Sequence, residues 1–366
     1  MINWYKLEVR VLKKYEQVKI GIKEFIQTGK YLPNQRISSE SELTHKFGVS
    51  RHTVRKAIND LVNEGWLYTE QGSGTFCADR NTKQPPEKTI ALLTTYISNY
   101  IFPSIINGVE SYLSSKGYTL LLYSTNNDVK KEKTCLENIL NRNVAGVIVE
   151  PTKSNFYNPN LPYYLNFERN NIPYLMINAY YPELEPYRLT VDDEAGAYIA
   201  TEHLIKLGHT HIAGVFKADD QQGVRRMKGF IRAHREYNIP ILSNMIISYT
   251  TLEKTNMLNE EFRRLIASEQ RPTGIYFYND EIAVDALNIL REFEINVPDD
   301  ISIVGFDDSS LAIASEVKLT TVSHPKFEMG RQAAETIIRL IENKTEGNPS
   351  IMYKPKLILR QSTRKL

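Results

Sequence analysis

SSESELTHKFGVSRHTVRKAINDLVNEGWL, residues 38–67, reads as two short helices joined by a tight turn. Ser39 is placed to cap the first, with Glu42 three residues on to complete a capping box, and the helix runs to about Phe47. Gly48 supplies the left-handed residue that ends it. Ser50 caps a second helix whose apolar spacing (Val54, Ile58, Leu61, Val62) defines a buried face. That spacing leaves Arg51, His52 and Arg55 outward near the helix start, with Arg51 and Arg55 four apart on one side. Guanidinium forks so placed match guanine edges in a major groove. His52 suits a base or a phosphate, and Thr53 with the exposed amides of the helix start suits phosphate oxygens.

Outward from this core, YEQVKIGIKEFIQTG predicts an earlier helix ending at Gly29. On the other side WLYTEQGSGTFC predicts a two-stranded hairpin with Gln71, Gly72, Ser73, Gly74 and Thr75 at its tip. A G-x-G on its own marks only a turn. Directly after two capped helices it becomes a wing whose slim tip can follow a phosphate backbone or enter a minor groove.

Taken together, KYEQVKIGIKEFI, SSESEL, FGVSRHTVRKAINDLVNEGWL and QGSGTF resemble the winged helix-turn-helix of the GntR family. The resemblance implies binding to double-stranded operator DNA. It also implies that Lys14, Tyr15, Arg36 and Glu40 lie toward the operator backbone or its bases. The head is assigned to residues 13–77, with residues 1–12 outside the pattern as an arm.

Charge supports the division. The chain of 366 residues carries a formal +2, yet residues 1–80 hold 13 Lys and Arg against 9 Asp and Glu, while the remainder holds 32 against 34. A basic head on a slightly acidic body suits a polyanion-binding module attached to something else. Between them ADRNTKQPPEK, residues 78–88, is polar with adjacent prolines and no apolar period, and reads as a linker.

Residues 89–366 alternate apolar, β-branched runs with amphipathic stretches: TIALLTT, SIINGVESYLSSKG, YTLLLYS, VAGVIVE, and so on to ISIVGF. Continuous apolar strands separated by helices indicate parallel sheets covered on both faces. Roughly 280 residues exceed what one open sheet needs, so the expectation is an α/β body of two lobes with two parallel sheets.

Four stretches then resemble the effector domain of the LacI/GalR family, itself similar to periplasmic sugar-binding proteins. They are VDDEAGAYIATEHLIKLGHTHIAG from Val191, RRMKGF from Arg225, NDEIAVDALNILREFEINVPDDISIVGFDD from Asn279 and KLTTVSHPKFEMGRQAAETII from Lys318. The resemblance implies a small sugar as effector, with Arg226, Asn279 and Asp307 bonding its hydroxyls. Tyr96, Phe102, Asn178 and Tyr181 are the candidates for the near-lobe wall. The two-part architecture also leads us to expect a homodimer on a pseudo-palindromic operator. A GntR-type head on a LacI-type body resembles the L-arabinose regulators of Gram-positive bacteria, which points to L-arabinose. The hinge helix that LacI-type regulators insert into the minor groove has no counterpart in the proline-containing linker.

Other classes are disfavoured. Cys77 and Cys135 have no Cys or His neighbour at metal-ligand spacing, so neither zinc nor a disulfide frame is expected, and no cofactor. No apolar run reaches about 18 residues and the amino terminus is charged, so the expectation is a cytoplasmic protein without membrane association. That also weighs against the alternative, a carbohydrate-binding protein of a transport system. Catalysis is not expected: Asp307 and Asp308 are adjacent, whereas glycosidase carboxylates flank the bond they cleave.

Overall fold

A computed structural model describes residues 13–70, 72–79 and 88–366. Within these, the chain divides into two compact units, one of the residues up to 79 with Leu161–Asn171, the other of residues 88–160 with Ile172–Leu366. Leu161–Asn171 groups with the first unit, in which Asn166 donates its amide to the carbonyls of Ile26 and Gln27. Most of the linker and the arm at residues 1–12 lie outside the described residues.

The first unit contains α1 (Lys14–Gln27), α2 (Glu40–Phe47), α3 (Arg51–Asn63), and the strands β1 (Leu67–Glu70) and β2 (Gly74–Cys77). Val18, Ile22, Leu43, Val54, Leu61 and Trp66 close its core. The strands pair antiparallel, Leu67 opposite Cys77 and Glu70 opposite Gly74.

The second unit begins with β3 (Thr89–Thr94), α4 (Phe102–Ser115), β4 (Thr119–Ser124), α5 (Val129–Leu140) and β5 (Gly146–Val149). After α6 (Leu161–Arg169), which belongs to the first unit, come β6 (Tyr174–Ile177) and β7 (Tyr187–Val191). A second lobe follows: α7 (Asp193–Lys206), β8 (Ile212–Lys217), α8 (Gln221–Glu236), β9 (Ile246–Tyr249), α9 (Lys254–Asn256), a π-helical stretch Met257–Phe262, α10 (Arg263–Ala267), β10 (Gly274–Phe277), α11 (Asp280–Glu292), β11 (Ser302–Asp307), α12 (Ser310–Ala314) and β12 (Thr320–Ser323). The chain then returns through α13 (Lys326–Ile341) and β13 (Ile351–Tyr353) to the first lobe and ends with β14 (Leu357–Ile358) in the second.

Each lobe carries a six-stranded sheet, β13-β7-β6-β5-β3-β4 and β14-β12-β11-β10-β8-β9. The first is parallel throughout, and the second is parallel except at its edge, where β14 runs antiparallel to β12. The alternation of runs did not reveal β13 or β14, because each is too short to show a period.

Glycines set the helix pairs that cover the sheets. A Cβ on Gly108 of α4 would stand 2.1 Å from the Phe327 carbonyl oxygen, and one on Gly330 of α13 2.1 Å from that of Ile105. In the second lobe a Cβ on Gly229 of α8 would stand at the same distance from the Glu194 carbonyl oxygen of α7. Each pair therefore packs backbone against backbone.

Three segments cross between the lobes and bond to one another. Asp192 N donates to Tyr353 O (3.0 Å), Ser323 N to Lys356 O (2.8 Å), and Lys356 N to Ser323 Oγ (2.9 Å). Such a bundle of crossings is the form of a hinge between two rigid bodies.

Candidate DNA-reading face and effector cavity

In the first unit the capping expected from the sequence is present. Ser39 Oγ accepts from Glu42 N (3.3 Å) while the Glu42 carboxylate accepts from Ser39 N (2.7 Å). Gly48 adopts φ 60° and Ser50 Oγ accepts from Thr53 N (3.2 Å). Burial of Val54, Ala57, Ile58 and Leu61 turns Arg51, His52 and Arg55 to solvent.

Glu40 organises that outer face. Arg55 donates from Nε and Nη2 to its two carboxylate oxygens, both at 3.0 Å, and Arg51 Nε lies 3.6 Å away. The bond from Arg55, with the charge of both arginines, holds the Glu40 carboxyl below the usual carboxylate range. One edge of the Arg55 fork is therefore occupied and its Nη1–Nη2 edge remains open for an acceptor pair. Thr53 N–H donates to Ser50 Oγ and the two hydroxyls lie 2.8 Å apart, so the amides left open at the helix start are those of Arg51 and His52.

At the wing, Gly72 and Gly74 have φ of 82° and 120°, conformations that favour glycine. Ser73 N donates to Glu70 O (3.1 Å), and Thr75 accepts from Ile37 N (3.0 Å). Arg36 lies against this hairpin, its Nε 2.7 Å from where a Cβ on Gly74 would stand. Gln71 lies outside the described residues. Lys14 is exposed at the start of α1, and Tyr15 beside it donates to Glu16 (3.3 Å).

In the second unit the carboxyl ends of β3, β5, β6, β8, β10 and β11 converge on a cavity of about 240 Å³. This is where open α/β sheets present ligand-binding residues. Its volume falls below the roughly 300–1,000 Å³ of drug-sized pockets, which suits one small ring.

Arg226 anchors the wall. Projecting from α8, it donates from Nε to Asp193 Oδ1 (2.8 Å), from Nη1 to Tyr278 O (2.6 Å) and from Nη2 to Asp307 Oδ1 (3.3 Å). Its guanidinium lies 3.5 Å from the Phe306 ring centroid. Each Nη keeps a second N–H beyond these bonds. Burial pushes Asp193 up to about 6 despite Arg226.

Asp307 sits at the end of β11 with φ 96°, followed by Asp308 at 46°. This left-handed pair turns the chain so that the Asp307 carboxylate reaches both Arg226 and the Tyr100 hydroxyl (2.7 Å). Lys326 Nζ ties down the two carbonyls, at 2.6 and 2.8 Å. Beneath them the Asp280 carboxyl accepts from Ser309 N and Thr321 Oγ1 (2.8 and 2.5 Å), and burial raises its pKa to about 7. Asn279 caps α11 through Oδ1, which accepts from Ile282 N (3.0 Å), and lines the cavity.

The first lobe supplies a second polar group. Glu150, buried, accepts from Thr95 N, Thr95 Oγ1 and Asn178 Nδ2 at 2.9, 2.6 and 2.8 Å. Asn178 Oδ1 in turn faces His324 Nε2 (3.0 Å). Burial lowers the His324 pKa to about 4, so its ring is neutral; because Asn178 Nδ2 is spent on Glu150, its Oδ1 accepts from Nε2–H and leaves Nδ1 as an acceptor. Among the described residues that Nδ1 has no hydrogen-bond partner, and His324 lines the cavity. Tyr96 and Phe102 meet edge to face, 5.7 Å between centroids, and form an apolar part of the wall.

Of the ligand residues expected from the sequence, Arg226, Asn279, Asp307, Tyr96, Phe102 and Asn178 all line the cavity. Tyr181 does not. Its hydroxyl is buried among Glu132, Thr152 and Asn158, donating to Glu132 Oε1 (2.7 Å) and accepting from Thr152 N (2.9 Å) and Asn158 Nδ2 (2.6 Å), so it shapes a loop behind the wall. Sequence reasoning missed Asp193, Glu150, His324 and Tyr100. Asp193 and His324 stand inside the quoted stretches VDDEAG and SHPK, but a lone Asp or His carries no mark of its partner.

Among the described residues no group of His, Cys, Asp and Glu could hold a metal ion, and no helix is long and apolar enough to cross a membrane.

A winged helix-turn-helix in the same chain as a two-lobed body with a ring-sized polar cleft defines a DNA-binding regulator controlled by a small ligand. Comparison with known proteins agrees at each level. Residues 14–77 match bacterial regulatory proteins of the gntR family, and residues 201–363 match the periplasmic binding protein-like domain. The chain is 54% identical over 361 residues to the arabinose metabolism transcriptional repressor of Halalkalibacterium halodurans, 96% of each being covered. It is 48% identical over 364 residues to that of Geobacillus stearothermophilus, covering 98% of this chain and 100% of the relative. A LacI-type transcriptional regulator from Alkaliphilus metalliredigens, complexed with D-xylulofuranose, has the same fold: 25% identity, TM-score 0.65, covering 76% of this chain and 99% of that one. The protein belongs to the family of arabinose metabolism transcriptional repressors. It is a sugar-responsive, DNA-binding repressor and not an enzyme, and the transport-protein alternative falls with the gntR match.

Proposed function

We propose that L-arabinose is the effector, that it occupies the cavity between the lobes, and that its binding releases a homodimer from a pseudo-palindromic operator in the cytoplasm. The observation that supports the sugar site most is Arg226, fixed by Asp193 and Asp307 with spare N–H groups on both Nη atoms. Arg226 and Asn279 donate to hydroxyl oxygens, Asp307 and His324 Nδ1 accept from hydroxyl hydrogens, and Tyr96 and Phe102 cover an apolar face. The relatives' role in arabinose metabolism supports the choice of pentose.

In the head, Arg51 and Arg55 read base edges with Glu40 setting their geometry, His52 and Thr53 stand beside them, and Arg36, Lys14, Tyr15 and the wing tip of Gln71, Gly72, Ser73, Gly74 and Thr75 follow the backbone. Two heads then occupy two half-sites. The sugar acts through its higher affinity for one arrangement of the lobes.

Calorimetry against pentoses and hexoses, paired with a mobility-shift titration of operator DNA, tests this reading. L-arabinose should bind best and dissociate the complex at matching concentrations. A different sugar doing both would displace L-arabinose, and no sugar doing either would remove the effector site.

A further inference from the structure

The outer surface of α3 carries four basic side chains, Arg51, His52, Arg55 and Lys56, and they are not equivalent. Arg51 and Arg55 share the Glu40 carboxylate, which offsets part of their charge. Lys56 is exposed, and among the described residues it has no carboxylate within ion-pair distance. Its Nζ instead lies 4.3 Å from the centroid of the Tyr15 ring, in the first turn of α1. A ring face steers an ammonium without neutralising it, at a gain of only about 0.5–1 kcal/mol in an exposed position. Lys56 is thus positioned by a ring rather than by a carboxylate, with exposed Lys14 next to Tyr15 in the chain.

Position and chemistry separate Lys56 from the base-reading pair. It stands four residues after His52, on the stripe of α3 that faces the start of α1 rather than Glu40. An ammonium is a compact point charge with no planar fork, so it suits a phosphate oxygen better than a guanine edge.

We propose that Lys56, aimed by the Tyr15 ring, is a phosphate contact of the operator complex, supplying affinity without sequence preference. Each such contact releases condensed counterions and contributes about 0.9 to the slope of log K against log salt on duplex DNA.

Fluorescence anisotropy of the full chain, on an operator duplex and on an unrelated duplex of equal length over a salt series, tests the assignment. K56Q should weaken both complexes by the same factor and flatten the salt slope by about 0.9 per bound head. K56R should restore the slope, which a loss of folding would not allow. Y15F, which keeps the ring, should leave the Lys56 contribution in place, whereas Y15A should shrink the difference between lysine and glutamine at position 56. An unchanged slope in K56Q overturns the proposal, as does a loss confined to the operator duplex, which would make Lys56 a base reader. An equal Lys-to-Gln difference with and without the ring would overturn the role given to Tyr15.

Discussion

Asp307→Asn keeps the shape of the side chain while removing its charge, and so isolates the carboxylate of the proposed sugar site. In the folded protein that carboxylate accepts from Arg226 Nη2 at 3.3 Å and from the Tyr100 hydroxyl at 2.7 Å, and it borders the cavity. A hydrogen bond from a sugar hydroxyl to a charged acceptor contributes about 1.5–3 kcal/mol, so its loss should raise the Kd for L-arabinose roughly 10- to 150-fold. Folding should suffer less than the roughly 3–5 kcal/mol that follows when a buried charge loses its partner, because Asp193 still meets Arg226 at 2.8 Å. Calorimetry with L-arabinose gives the affinity, and operator binding measured with and without sugar gives the response. The variant should hold operator DNA as the parent does and fail to release it at sugar concentrations that release the parent. Parent-like sugar affinity together with normal release would refute the placement of the site.

Arg55→Ala should lower operator affinity by roughly 10- to 100-fold with little change on unrelated DNA, checked by competition binding, while sugar affinity stays the same. His324 bears on pH: burial lowers its pKa from 6.5 to about 4, so the unfolded chain binds a proton across that window that the folded chain does not. Its contribution to stability therefore rises with pH from about 4 to 6.5, by up to about 3 kcal/mol. Asp193, raised from 3.8 to about 6, contributes in the opposite sense, since the folded state keeps its proton longer and loses stability as pH rises through that range. Urea unfolding of H324Q and the parent at pH 5 and pH 7 should show the parent gaining relative to the variant at the higher pH; equal differences at the two pH values would contradict the neutral buried ring. Gly330→Ala should destabilise the body by about 1–3 kcal/mol, because its Cβ would meet the Ile105 carbonyl oxygen at 2.1 Å and force α4 and α13 apart. Thermal melting reads that loss, and an unchanged melting temperature would show that the helices can separate freely.

Features that rest on local periodicity and capping were legible in the amino-acid order alone. Ser39, Glu42, Gly48 and Ser50 act within four residues of their targets, so the helix-turn-helix could be read letter by letter, and the outward placement of Arg51 and Arg55 followed from the apolar stripe opposite. The strand and helix alternation of the body was legible for the same reason, and Arg226, Asn279 and Asp307 were legible through the LacI/GalR resemblance. Tertiary structure decided who meets whom. Arg226 reaches Asp193 across 33 residues and Asp307 across 81, and His324 finds Asn178 across 146, separations over which no spacing rule operates. The same holds for Tyr181, whose aromatic ring suited a sugar wall equally well on paper, but whose hydroxyl is claimed by Glu132, Thr152 and Asn158 in the folded chain. Burial then changes the chemistry of these groups: taking a carboxyl or an imidazole out of water disfavours its charged form, and only the folded surroundings decide how far.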